Sequence, residues 1–227
     1  MIVKNGAVVT DSADIDRIIA ERKAAAENII LTGKPAKLDG ITDVVYLSDN
    51  GSDSNDGKTP ETAVRTLRQA NLIGGSGCTV VIKDKYTYGS VYHVPSCTIV
   101  GLRSDAQLIL GVWNFCVAGE VTLGNLTIMA TKDWSFLLGY GNLLTIDEDV
   151  TVEKQATVKY GLSIRAGGDG TLVNRDTNLI IKSGQWNSVF GGTSRNDVNG
   201  SSYITVYEDA IITALRGGND GFVDKII

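Results

Sequence analysis

The sequence predicts an all-β fold, a single-stranded right-handed parallel β-helix with an N-terminal α-helical cap. Short β-branched runs broken by Gly, Asn and Asp indicate it, and so do near copies of these runs along the chain. The composition agrees, because 26 Gly and only 3 Pro among 227 residues fit a β-rich chain with many tight turns. An antiparallel sandwich also has short strands, so repetition has to decide between the two architectures.

The clearest repeat lies near the C-terminal end. Residues 179–192 align with residues 204–218 after one inserted residue, and the apolar positions keep their class: Leu179 with Ile204, Ile181 with Val206, Trp186 with Ile212 and Val189 with Leu215. A period of about 25 residues suits one coil of three short strands and their turns, stacked at roughly 4.8 Å. We expect roughly six to eight such coils.

The cysteines lie in a second set of near copies. Cys78-Thr-Val-Val81 and Cys97-Thr-Ile-Val100 share one pattern, and Leu126-Thr-Ile-Met129 repeats it with Leu in place of Cys. A position that accepts Cys or Leu is an apolar core position, so we expect buried, reduced thiols. An inter-coil disulfide is the alternative, and one thiol must stay free because the third cysteine, Cys116, makes the number odd.

The first coil begins with a strand, a loop and a helix. Val44–Leu47 is a short apolar run, and residues 49–57 are rich in Asp, Asn, Ser and Gly, which is turn chemistry. Thr59 is a candidate N-cap, and Pro60 suits the first helical position. The predicted helix presents one apolar face, made by Ala63, Val64, Leu67 and Ala70.

Two parts are predicted along the chain. Residues 1–39 form an amphipathic helix or cap. Asp11 or Ser12 is the N-cap of the predicted helix, and its apolar stripe consists of Ile15, Ile18, Ile19, Ala26, Ile29 and Ile30. Residues 40–227 form the β-helix. We expect a piece of a longer secreted protein with adjoining domains, since the N-terminus lacks a secretory signal and residues 221–227 look like the opening of another repeat.

Charge and hydropathy exclude two classes of partner. The formal net charge is -5, and no basic cluster marks a nucleic-acid surface. No apolar run of about 18 residues is present, so no transmembrane helix is predicted.

Residues 44–70 resemble the entry segment of pectin-lyase-like right-handed β-helix proteins. The motif is a loop of the type Asn-Gly-Ser-Asp-x-Asn-Asp-Gly before a Thr-Pro-Glu-Thr helix start. The matching residues are Asn50, Gly51, Ser52, Asp53, Asn55, Asp56, Gly57, Pro60, Glu61, Thr62, Thr66, Leu67 and Ala70. Residues 178–218 separately look like the Ser-Gly-x-Trp coils of large bacterial surface proteins. The resemblance implies the fold and an extracellular or cell-surface location, but no particular activity.

The loop of the first coil is also a candidate metal site. Its oxygen ligands for Ca²⁺ are Asp49, Asp53, Asn55 and Asp56. The EF-hand register fails, because Ser52 and Ser54 stand where the first two ligands belong. A structural turn is therefore the competing interpretation, and no other cofactor is expected.

Three groups of residues are candidates for sugar chemistry. Lyase catalysis needs a basic residue beside acidic Ca²⁺ ligands, which Arg165, Arg175 and Arg195 could provide with Asp169, Asp176 and Asp197. Paired carboxylates for glycoside hydrolysis could come from the three consecutive acids Asp147, Glu148 and Asp149, which are weaker candidates. Trp113 and Trp134 lie in loop-like stretches and are candidate stacking platforms for pyranose rings.

We therefore expect a non-catalytic module of a bacterial extracellular or cell-surface protein, a stalk or an adhesion surface that faces polysaccharide or host glycan. One alternative is a polysaccharide lyase or glycoside hydrolase. The other is a phage-fibre or assembly component.

Overall fold

A computed structural model describes residues 33–170 and 172–218, residues 17, 18 and 20, and the backbone of two N-terminal strands. The predicted fold class is confirmed: the chain is a parallel β-solenoid with a short helix before its first complete coil. It has about five turns, fewer than expected. Coil length varies along the chain: Val44 pairs with Thr79 and Leu144 with Leu179, which are long coils, whereas Thr79 pairs with Thr98, which is a short one.

Each complete coil has three sides, and the strands stack in parallel along each side. The first side consists of β3 Val44–Leu47, β4 Thr79–Ile82, β7 Cys97–Gly101, β10 Val121–Gly124 and β13 Leu144–Ile146. The second side consists of β5 Lys85–Tyr88, β8 Gln107–Leu110, β11 Leu126–Ala130 and β14 Val150–Lys154. The third side consists of β6 His93–Val94, β9 Phe115–Val117, β12 Phe136–Leu138 and β15 Ser163–Arg165. The long strands β16 Thr177–Phe190 and β17 Ser202–Arg216 join the first side to the third.

The core is built from rows of like residues, one from each coil. One row of the first side is Val45, Val80, Ile99, Leu123, Ile146 and Ile181, each in register with the next and each buried. Side chains alternate across a strand, so every second residue of a side adds to such a row. Burial of these rows in a continuous stack is what holds the coils together.

The register confirms the C-terminal repeat in detail. Leu179 pairs with Ile204 and Trp186 with Ile212, and the inserted residue appears as a register shift between Ile181 and Ser183. Trp186 is fully buried, as its alignment with Ile212 predicts.

The cysteine copies are confirmed only in part. Thr79 pairs with Thr98, which places Cys78 and Cys97 on successive coils. The third copy is buried as predicted, but it lies on a different side from the other two, because Leu126 belongs to β11 on the second side and pairs with Val150. The residue that follows Cys97 in its row is Val121. A short apolar run does not reveal which side of a coil it occupies.

The helix of the first coil is shorter than predicted. Thr59 is an N-cap, but it starts only a 3-10 turn, Pro60–Thr62. Ala63 leaves helical geometry with ψ of 141°, and Val64 bridges to Leu47. The α-helix, α1, covers Leu67–Gly74 with Thr66 as its N-cap. The four apolar positions are all buried, so the pattern was right about burial and wrong about a continuous helix.

The N-terminal strands and residues 33–36 lie against the solenoid. Strand β1, Ile2–Lys4, pairs with β2, Ala7–Val9, and also antiparallel with β17, where Ile2 lies opposite Ile211. Residues 33–36 follow the corner between the first and second sides, where Pro35 bridges to Arg103. Of the predicted helix at 11–30, only Arg17, Ile18 and Ala20 are described, and they are helical; the rest lies outside the described residues. Residues 221–227 also lie outside them, and the division at residue 39 stays a prediction.

Candidate functional site

The corner between the second and third sides carries exposed large apolar side chains on successive coils, together with the half-buried Tyr160. Each loop from a second-side strand to a third-side strand contributes to it. We call this row the aromatic ridge; its residues are Val91, Val112, Trp113, Trp134 and Tyr160. Trp134 is 60% exposed and Trp113 45%. The two tryptophans predicted as stacking platforms therefore lie on one corner of neighbouring coils.

Trp134 is the most unusual residue of the ridge. Its ring centroid lies 4.5 Å from that of Tyr160, with an interplanar angle of 31°, so one face of the indole packs on the next coil. Its φ of 60° is in the left-handed region. A bulky residue at positive φ is a genuine outlier, and such strain persists only where the surroundings enforce it.

Side chains from each loop hold the loop of the next coil. The carboxylate of Asp133 accepts hydrogen bonds from the amides of Lys159, at 2.7 Å, and Tyr160, at 3.0 Å. One coil earlier, the amide of Phe136 donates to Oδ1 of Asn114 at 3.1 Å. These bonds fix the ridge in place before any ligand arrives.

Cations flank the exposed rings. Nζ of Lys159 lies 5.1 Å from the centroid of Tyr160, and Nζ of Lys132 donates to the carbonyl of Val112 at 2.5 Å. The ridge therefore combines apolar faces with hydrogen-bond donors, which is the combination that polyhydroxylated rings require.

Arg165 packs against two aromatic rings and lies near one carboxylate. Its guanidinium carbon lies 4.0 Å from the centroid of Phe136 and 5.3 Å from that of Phe190, and Nη1 lies 3.4 Å from the carboxylate of Asp169. Its side chain is only 12% exposed. It covers outward-pointing aromatic rings of the third side and is not presented as a base.

Arg175 and Arg195 lie on the loops between the third and first sides. Nη2 of Arg175 donates to the carbonyl of Tyr140, at 3.1 Å, and to Oδ1 of Asn142, at 3.0 Å. Arg195 is exposed. The two loops do stack as expected, since Val173 bridges to Val198, but Arg165 and Arg175 have separate partners.

The four proposed Ca²⁺ ligands are used separately within the first coil. Asp49 accepts from the amide and hydroxyl of Thr87, each at 2.8 Å, and Asp53 accepts from the amides of Arg65 and Thr66 at 2.9 and 2.8 Å. Asn55 Nδ2 donates to the Ala63 carbonyl, and Asp56 accepts from the Lys58 amide. Hydrogen bonds from Thr62 and Lys58 lower the pKa of Asp56. No group of three His, Cys, Asp or Glu within the described ranges is arranged to hold a metal ion.

Two of the three consecutive acids form ion pairs with different lysines. Asp147 pairs with Lys182 at 2.7 Å, and Asp149 pairs with Lys34 at 2.8 Å. These carboxylates connect neighbouring segments and do not face each other as an acid and a base.

The thiols are free, as predicted. Cys78 and Cys97 are buried, and Cys116 is half-buried. Burial raises the pKa of Cys97 to about 12, so the unreactive thiol form dominates. His93 is exposed and stacks on Tyr140 with centroids 5.2 Å apart.

A shallow depression of about 450 Å³ lies beside the first coil, lined by Asp49, Arg65, Thr66, Tyr86, Thr87, Gly89 and Ser90. Its carboxylate, Asp49, is already bonded to Thr87, so the depression offers no acid for catalysis.

No protein-family model, curated protein or solved structure matches the chain. Within the part of the chain that is described, no helix is long and apolar enough to span a membrane. Sequence reasoning missed Val91, Val112 and Tyr160 as members of the ridge. The only sequence signals for Val112 and Tyr160 are the pairs Val112-Trp113 and Lys159-Tyr160 in corresponding loops, and these loops differ in length.

Proposed function

We propose that the chain is a non-catalytic β-helical module of a bacterial extracellular or cell-surface protein, and that its aromatic ridge binds carbohydrate. The observation that carries the proposal is Trp134, held at positive φ, stacked on Tyr160 and still 60% exposed. A protein that gains nothing from this residue would hide the ring or relax the backbone.

Stacking energy explains why several coils are needed. One aromatic contact contributes about 0.5–1.5 kcal/mol beyond the area that it buries. A single sugar on a single ring would therefore bind weakly, whereas a ligand that touches several coils adds these contacts on a surface that is already ordered.

The surroundings of the charged candidates support a non-catalytic role. Arg165 and Arg175 hold aromatic rings and loop carbonyls, and Asp49 and Asp53 hold backbone amides. A lyase needs a base that is free to reach the substrate proton and metal ligands that are free to hold the cation.

Affinity electrophoresis through gels that contain neutral or acidic polysaccharides tests the proposal. We expect at least one polysaccharide to retard the wild-type protein, and Trp134→Ala to migrate faster in that gel alone. The same polysaccharides are incubated with the protein, with Ca²⁺ or EDTA, and assayed for unsaturated products and reducing ends. Product release that requires the protein contradicts the non-catalytic role, and migration unchanged by every polysaccharide contradicts the binding role.

A further inference from the structure

The loops of the aromatic ridge are more basic than the chain as a whole. They are residues 89–92, 111–114, 131–135 and 155–162, and their charged residues are Lys132, Asp133 and Lys159. Lys154, the last residue of β14, adds a third ammonium group where the last loop begins. The whole chain carries a formal net charge of -5, so the ridge has the opposite sign.

Two of these ammonium groups are held at the ridge by loop carbonyls. Nζ of Lys132 donates to the carbonyl of Val112, one coil earlier, at 2.5 Å. Nζ of Lys154 donates to the carbonyls of Val158 and Lys159 at 2.7 and 2.8 Å. An ammonium group has three donors, so each of these lysines keeps at least one donor for a ligand.

Lys159 places its charge beside the stacked rings. Its side chain is exposed, and its Nζ lies 5.1 Å from the centroid of Tyr160, the ring on which Trp134 packs. An anion bound by this ammonium group would therefore lie next to a sugar ring stacked on Trp134.

The acid of these loops is bonded to the backbone. Oδ1 of Asp133 accepts from the amides of Lys159 and Tyr160 at 2.7 and 3.0 Å. Hydrogen bonds from two amides stabilise the carboxylate and offset part of its charge. The ammonium groups therefore dominate the electrostatic potential at the ridge.

We propose that the ligand of the aromatic ridge is an acidic polysaccharide, a chain whose sugar units carry carboxylate or sulfate groups. The inference rests on the carbohydrate-binding role proposed above and adds the charge of the ligand. Sugar rings stack on Trp113 and Trp134, and Lys132 and Lys159 bind the anionic groups.

The repetition of the ridge favours a polymer over a single charged sugar. Lys132 and Lys159 lie on successive loops, and the coils repeat about every 4.8 Å along the solenoid. An acidic polysaccharide also repeats its charge along the chain, so one molecule contacts both lysines and the two contributions add. An exposed ion pair by itself contributes little.

Matched polysaccharides in affinity electrophoresis test the charge of the ligand. Polygalacturonate and its methyl ester share one kind of chain, as do carboxymethyl cellulose and hydroxyethyl cellulose, and dextran sulfate and dextran. We expect the acidic member of at least one pair to retard the wild-type protein more strongly than its neutral partner, and to do so less as the salt concentration rises. Retardation by the carboxylated polymers or by dextran sulfate identifies the group that the lysines bind.

Lysine variants test whether the ridge supplies the charge. Lys132→Gln and Lys159→Gln should each weaken binding to the acidic polysaccharide by roughly two- to five-fold, the range of an exposed ion pair, and leave binding to its neutral partner unchanged. Lys58→Gln is the control, because Lys58 is exposed on the loop before Pro60–Thr62 and its loss changes the net charge equally. Circular dichroism checks that the variants keep the fold.

Two results would overturn this inference and leave carbohydrate binding intact. One is equal retardation by the neutral and the acidic member of every pair that binds. The other is an affinity for the acidic polysaccharide that falls no further in the two ridge variants than in Lys58→Gln, which would mean that the ridge lysines do not bind its anionic groups. No retardation by any polysaccharide overturns both the proposed function and the inference that rests on it.

Discussion

Gly191 occupies a point where two turns of the solenoid are too close for a side chain. A Cβ at this position would lie 2.1 Å from the carbonyl oxygen of Gly217 and 2.7 Å from the Cβ of Ser202. We expect Gly191→Ala to lower the free energy of unfolding by about 1–3 kcal/mol, the usual cost of overpacking. Urea unfolding followed by circular dichroism measures it. Gly89→Ala is the control, because a Cβ there would lie 3.7 Å from its nearest neighbour, the Thr87 carbonyl oxygen.

Cys97 makes stability depend on alkaline pH. Burial raises its pKa from 9.0 to about 12, so the folded protein keeps a proton that the unfolded chain loses above pH 9.0. Its contribution is complete below pH 9.0 and is lost as the pH rises toward about 12. The slope is at most about 1.4 kcal/mol per pH unit for one proton.

Cys97→Val removes the titrating thiol and keeps an apolar side chain in a row whose next member is Val121. Unfolding free energies measured between pH 9 and 10 should fall less steeply in the variant. Part of the slope should remain, because burial also raises the pKa of Cys78 and of Cys116. Parallel slopes for the two proteins would mean that the Cys97 thiol titrates alike in both states.

At the scale of elements, Asn125 joins the N-terminal segment to two coils. Its Nδ2 donates to the carbonyl of Lys34 at 3.2 Å and to that of Gly101 at 3.1 Å, and its φ is 46°. Asn125→Gly loses both hydrogen bonds but accommodates this φ, whereas Asn125→Ala loses the bonds and adds left-handed strain of about 1–2 kcal/mol. Thermal unfolding should rank the wild type first, Gly second and Ala last. Equal midpoints for Ala and Gly would remove strain from the explanation.

Most strands of the first and second sides can be recognised in the sequence. Thr79–Ile82 and Val121–Gly124 are long enough to show apolar alternation or β-branched enrichment. The third-side strands are harder to recognise in the sequence, because His93–Val94 has two residues and Phe115–Val117 three. Such short segments form because the coils above and below supply their hydrogen bonds, and that stacking is not local information.

The predicted helix at Pro60 was interrupted for a related reason. Val64 does not continue the helix but lies beside β3, where its amide donates a hydrogen bond to the Tyr46 carbonyl at 2.9 Å. Tertiary pairing at the open end of the first coil overrides a favourable helical pattern.

At the scale of the whole molecule, stacking decides which loop residues meet. Sequence reasoning found Trp113 and Trp134 as exposed aromatic residues, but it did not find that they share a corner with Tyr160. It also grouped Arg165 with Arg175, and the solenoid instead places Arg165 between Phe136 and Phe190. Loops of unequal length hide these neighbours, because the spacing along the chain changes from coil to coil.

The central claim is that the aromatic ridge is a carbohydrate-binding surface fixed by the solenoid. Isothermal titration calorimetry with the polysaccharide that retards the protein most strongly tests it, using the wild type, Trp134→Ala, Trp134→Phe and Leu72→Ala. Leu72 is 76% exposed on α1 and serves as the control for losing an exposed apolar side chain elsewhere. Each Trp134 variant keeps a Cβ, so the backbone strain at this position is the same.

We expect Trp134→Ala to weaken binding by roughly ten-fold, the equivalent of about 1.4 kcal/mol of lost stacking. Trp134→Phe should retain part of the affinity, and Leu72→Ala should bind like the wild type. Equal affinities for Trp134→Ala and the wild type would contradict the claim.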